Sequence, residues 1–248
     1  MILLPILLFC IALLKQFRIL ITGNKYVAVF MFSLIAKLIL LVLSEYEILV
    51  LVDGGKDAVG FVRESLRIYN SNSFFDLFTK GLSGRYGTYP IFLSIIYSLL
   101  YPSHWVMLLI NILLHNSILL LMIKILGFFN IEKKRKLVLI IIVGFFPIIL
   151  SYSVILLREI IYIWYITFIC YQIIYYNKYS KLPYSKVITL CVSFIVIILH
   201  PGNIGILVGG FLLFFKLNKY LKIGIISLLS IWLFSQILSG NAGGYANK

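Results

Sequence analysis

The 248 residues are 62% hydrophobic and 12% charged, with a formal net charge of +14. So few polar residues cannot coat a soluble domain of this length, which excludes an ordinary soluble globule. The apolar runs do not alternate, which excludes a β-barrel, and the cations cluster between the runs, a pattern of membrane orientation and not of nucleic-acid binding.

The expected fold is all-α: a polytopic transmembrane bundle of about eight crossings plus one re-entrant or interfacial helix. It reads as a single membrane domain over 1–248, multi-pass, with the lipid bilayer as its first partner. Taken in chain order, the first apolar run is 2–14. It lacks a basic leader and ends at Lys15 and Arg18, so it reads as a retained helix and not as a cleaved signal peptide. The second run, 26–44, carries Lys37 as its one mid-segment charge.

A polar stretch follows, 45–89. It holds six of the eight acidic residues: Glu45, Glu47, Asp53, Asp57, Glu64 and Asp76. Nothing in a bilayer requires carboxylates to gather in one loop. Asp53-Gly54-Gly55 reads as a turn, with Asp57 as a candidate N-cap. From Asp57 to Tyr69 the apolar positions Val59, Phe61, Val62, Leu66 and Ile68 suit an amphipathic helix on the membrane surface. Gly81 to Gly87 is a second flexible connection, presenting Arg85 and Tyr86.

The run 89–101 is short and bounded by Pro90 and Pro102, so it reads as re-entrant or interfacial. The run 104–127 carries Asn111, His115 and Asn116, with His104 at its start; interhelical hydrogen bonding is the expected use of these residues. The later runs are 137–157, 160–177, 184–200, 201–217 and 221–238, with His200-Pro201 dividing the third from the fourth. Lysine clusters at 133–136, at Lys178, Lys181 and Lys186, and at Lys216, Lys219 and Lys222 mark the cytoplasmic side. The 45–89 loop, the Arg158-Glu159 turn and His200 then share the outer side. Cys10, Cys170 and Cys191 lie within apolar runs without paired spacing and are expected to be small buried residues.

Several of these residues carry a resemblance. Asp57-Ala58-Val59-Gly60-Phe61, a short helix, the link Gly84-Arg85-Tyr86-Gly87 and then Tyr89-Pro90 resemble the first outer loop of GT-C glycosyltransferases. Pro90, Asn111, Lys133–Lys136, Pro147 and the turn Leu156-Leu157-Arg158-Glu159 continue the likeness, which covers about residues 26 to 215. The chain departs from the family where Asp57 is followed by Ala58 in place of a second acid. The Leu-Leu-Arg-Glu turn also resembles membrane proteins of capsule and O-antigen assembly, including polysaccharide polymerases.

The resemblance implies a bacterial cytoplasmic-membrane enzyme that takes a polyprenyl-phosphate-linked sugar at the outer face and passes it to a glycan or lipid acceptor. It casts Asp57 as the base that deprotonates the acceptor, with Asp53 in reserve. Arg158 would hold phosphate through its planar fork, beside Glu159, with His200, Arg85 and Tyr86 as further contacts. A divalent cation bridging carboxylate and phosphate follows from the family alone, since no metal-ligand spacing is present. A polymerase built on outer arginines is the alternative enzyme. A non-enzymatic transporter or assembly subunit would instead line the membrane midplane with charge, and there the sequence offers only Lys37.

Overall fold

A computed structural model describes residues 3–20, 24–46, 48, 56–70, 89–156 and 158–181. The runs at 184–200, 201–217 and 221–238 lie outside the described residues, as do Asp53, Arg85, Tyr86, Cys191 and His200. All regular structure among the described residues is helical: α1 (Leu3–Leu20), α2 (Asn24–Glu45), α3 (Lys56–Tyr69), α4 (Tyr89–Leu99), α5 (His104–Gly127), α6 (Lys133–Phe145), α7 (Pro147–Val154) and α8 (Glu159–Tyr179). Backbone contacts divide the chain into two compact units, Met1–Tyr171 and Gln172–Lys248.

Three of these helices are long and apolar enough to cross a membrane: α2 over Tyr26–Ser44, α5 and α8. The consecutive pair α6 and α7, bent by 46°, makes a fourth if counted as one span. This is fewer than the crossings expected over the same residues at 2–14, 26–44, 104–127, 137–157 and 160–177. The difference lies in α1, whose uninterrupted apolar stretch stops at Leu14, short of the ~20 residues a span needs. Past that point Gln16 turns onto α5, where its Nε2 donates to the Leu113 carbonyl at 3.1 Å and to Ser117 Oγ at 3.0 Å. The 89–101 run forms the short helix α4, about 16 Å long at 1.5 Å per residue, and does not span.

Lipid is as apolar as a leucine face, so helices in a membrane are joined by close packing and polar contacts more than by the hydrophobic effect. The first unit follows that rule. Phe30 of α2 packs with Leu119 and Leu120 of α5, and Phe17 of α1 meets Phe30 edge-to-face at 5.0 Å. The opposite face of α2, with Ile35, Leu38, Ile39 and Val42, is exposed and suits contact with acyl chains. At the far end of α5, Lys124 lies over the Tyr171 ring of α8 at 5.6 Å. The described part of the second unit is the end of α8, where the Tyr175 and Tyr179 rings meet at a tilt one turn apart, centroids 4.7 Å apart. Cys10 and Cys170 are free thiols exposed on helix surfaces and not buried, which corrects the expectation for both. Each sits on a face that its helix does not pack.

The expected 137–157 run is broken. Pro147 has no N–H, and its ring clashes with the preceding turn, so α6 ends and Phe146 takes an extended conformation (φ −61°, ψ 117°). Ser33 of α2 satisfies one freed carbonyl: its Oγ donates to Gly144 O at 2.9 Å. A Cβ at Gly144 would meet Leu119 Cδ2 at 3.4 Å and Ser33 Cβ at 3.7 Å, both ordinary contacts. Gly144→Ala should therefore be neutral or slightly stabilising. Gly144→Leu should overfill the seam and cost about 1–3 kcal/mol in denaturant unfolding from bicelles.

Candidate functional site

The site is built where α3, α4 and the turn before α8 meet. On α3 the buried residues Ala58, Phe61, Ser65 and Ile68 recur at three- and four-residue spacing and form one stripe. Val59, expected on that stripe, is 65% exposed instead. The stripe packs along α4, which buries Tyr89, Leu93 and Tyr97. Phe61 and Tyr89 meet edge-to-face, with ring centroids 4.8 Å apart at 83°.

Arg158 completes the cluster. Its guanidinium carbon lies 6.0 Å from the centre of the Phe61 ring, within reach of a cation–π attraction. Its Nε is 3.9 Å from Glu159 Oε1, a loose ion pair whose side chains are 22% and 37% exposed. Glu159 opens α8, where the helix dipole favours an acid, and the Arg158 carbonyl accepts from the N–H groups of Ile161 and Tyr162 at 3.1 and 3.3 Å. The start of α8 is therefore served by the Arg158 backbone and by Glu159, while the Arg158 side chain turns to Phe61.

Among the described residues, three polar atoms here are buried without a hydrogen-bond partner: Arg158 Nε, Glu159 Oε2 and the Tyr89 hydroxyl. Buried polar groups are nearly always satisfied, by protein, water or ligand. Three such atoms around one aromatic contact are a place where a polar ligand would be accepted. Burial, with the Glu159 carboxylate adding to it, pushes the Tyr89 phenol well above its usual range, and Arg158 opposes the shift. A phenol raised in the folded state contributes stability that is complete below its unfolded value of about 10 and is lost as pH rises beyond it. Tyr89→Phe keeps the ring contact with Phe61. It should reduce the loss of thermal stability above about pH 10 while leaving the neutral-pH melting point equal or higher.

Asp57 lies in the first turn of α3, exposed, one helical turn before Phe61. The helix starts at Lys56, so Asp57 is inside the first turn and is not the N-cap; its charge still complements the helix dipole. Phe61 thus links the two charged groups the sequence singles out, standing one turn from Asp57 and beneath Arg158. Other charges of α3 go elsewhere: Arg63 is exposed, and Glu64 and Arg67 pair with each other, a contact of little energetic weight. Asp53, Arg85, Tyr86 and His200 lie outside the described residues.

Two members of this cluster, Phe61 and Tyr89, are not singled out as site residues by the sequence. Phe61 enters there as an apolar position of the amphipathic helix and within the family resemblance, and Tyr89 as the residue before Pro90. A tyrosine opening a short proline-bounded helix was the available signal. No three His, Cys, Asp or Glu side chains come together as a metal site among the described residues. Arg158 also already supplies a cation to Glu159, so the described cluster does not fit a divalent ion. No protein-family model, curated protein or solved structure matches the chain.

Proposed function

We propose that the chain is a multi-pass protein of the bacterial cytoplasmic membrane that transfers a sugar from a polyprenyl phosphate to a glycan or lipid acceptor in surface-polysaccharide assembly. What supports this reading is the position of Arg158 over Phe61, one turn from Asp57, with unsatisfied polar atoms around it. In the proposed reaction the sugar C1–O bond to phosphate breaks and a C1–O bond to the acceptor forms. Asp57 takes the acceptor's hydroxyl proton. The Arg158 fork holds the departing phosphate, and Phe61 keeps the guanidinium plane in place. The Tyr89 hydroxyl is a donor to the same phosphate or to the sugar.

Asp57→Asn tests the reading. Sugar transfer from a polyprenyl-linked donor should fall at least ~100-fold with membrane insertion intact, as general base catalysis contributes 10²–10⁴-fold. Unchanged transfer would remove Asp57 from the mechanism. The polymerase reading is favoured by one observation, that Arg158 is the more enclosed of the two charged groups. It expects Asp57→Asn to be silent while loss of Arg158 is not. Sidedness has its own check. In a background without native cysteines, a cysteine at Gly55 should react with an impermeant maleimide from outside intact cells, and one at Lys134 should not. Labelling of both would overturn the proposed topology.

A further inference from the structure

A second polar cluster lies inside the first unit, away from the Arg158 turn. Lys37 on α2 has no exposed surface, nor have His115, Asn116 and Asn111 on α5. Lys37 Nζ donates to Asn116 Oδ1 at 2.5 Å. The Asn116 amide nitrogen, both ring nitrogens of His115 and the Asn111 Oδ1 are buried without a hydrogen-bond partner. The Asn111 amide is anchored, its Nδ2 donating to Ile155 O at 2.9 Å. The carbonyl of Val143 faces His115, short of full hydrogen-bond geometry. That carbonyl is one that Pro147 leaves without its usual donor four residues on.

Two ionisable bases thus lie in one buried cluster, inside helices able to cross a membrane, with no acid beside them among the described residues. The elements packed on α2 are α1, α5, α6 and α7. α1 brings the neutral amide of Gln16, which is engaged on α5. α6 carries its cations, Lys133 to Lys136, at the end away from Gly144. α5 carries Lys124 more than two turns beyond His115. The ionisable group of α7 is Tyr152, half-buried. Among the described residues no carboxylate acts on Lys37 or on His115. Two adjacent positive charges in so dry a place repel each other strongly, so the pair holds at most one extra proton.

We propose that Lys37 and His115 form an intramembrane proton-binding site, sharing one proton through water held by Asn116 and Asn111. In the transfer the Lys37 ammonium becomes an amine and the His115 imidazole becomes imidazolium. The unpaired donors and acceptors of Asn116, Asn111 and His115 are those a buried water requires. Ser33, one turn before Lys37, binds the Gly144 carbonyl, so the site adjoins the α6–α7 break. Charged residues beside a discontinuous helix are where ion-coupled membrane proteins place their coupling ion. This inference stands apart from the sugar-transfer reading and survives its failure.

The test is nitrogen NMR of the protein in nanodiscs with labelled histidine and lysine. The chain has three histidines, so His115→Gln assigns the ring signals directly. In wild type the Lys37 ζ-nitrogen and the His115 ring should report the same titration midpoints, because one proton serves both. Lys37→Met should change the proton affinity of His115 at least tenfold. Independent midpoints in wild type would overturn the proposal without any variant having to fold. So would a His115 titration unmoved by a folded Lys37→Met protein.

Discussion

Replacing Arg158 with glutamine should lower sugar transfer by about 100-fold or more while the protein still inserts and folds. Loss of one preorganised donor to a developing anion typically costs 10²–10³ in rate. Arg158→Lys should fail to rescue, because a lysine offers a point charge in place of the planar fork that lies over Phe61. Phe61→Leu should give a smaller loss, about tenfold, since it removes the surface that positions the guanidinium but leaves the charge. Transfer from a polyprenyl-linked donor in proteoliposomes is the readout. An Arg158→Gln protein within threefold of wild type would show that the guanidinium does not bind the leaving group. The Lys and Leu variants separate positioning from charge, because a purely structural role would be met by either.

Asn116→Leu should be the most damaging single change to the fold. It leaves Lys37 buried without its acceptor. Neutral interhelical hydrogen bonds in membranes average only ~0.6 kcal/mol, because the separated helices find other partners. An unpaired lysine at the middle of a span is different, costing about 2.5–3.5 kcal/mol on insertion scales. The expected loss is therefore about 2–3 kcal/mol, closer to the charged figure than to the neutral one. Lys37→Met in the Asn116→Leu background should restore most of it, since both partners are then apolar. Unfolding from bicelles measures all four proteins. An additive double variant, or a loss below about 1 kcal/mol, would mean that the contact carries no special weight.

The long apolar runs made α2, α5 and α8 legible, because composition and length decide a span almost unaided. His104–Gly127 was expected and found at the same bounds. The break at Pro147 was visible as a residue but not as an architecture. One proline in a run can kink a helix or end it, and here Ser33, distant in sequence, donates to a freed carbonyl, that of Gly144. α1 forms as the retained helix that its apolar start implies, but nothing in that start shows that Gln16 donates to α5. For the candidate site, Asp57, Arg158 and Glu159 were legible as charges out of place. Their meeting through Phe61 and Tyr89 was not, because packing α3 on α4 and bringing Arg158 over Phe61 are long-range events with no periodic signature. Lys37 was read alone for the same reason: nothing in α2 says that its partner lies on α5.

The Lys37–Asn116 contact also sets a schedule for membrane assembly. The two residues are 79 positions apart. At synthesis rates of roughly 5–20 residues per second, α2 is available for insertion roughly 4–16 s before Asn116 is made. During that interval the ammonium lacks the acceptor it will finally use. A helix in that position gains by staying at the insertion machinery until α5 arrives, so that the two enter the lipid as a pair. The same lysine then fixes which way α2 faces, because turning the helix by half a revolution would put the ammonium among acyl chains and Ile35, Leu38 and Ile39 against α5.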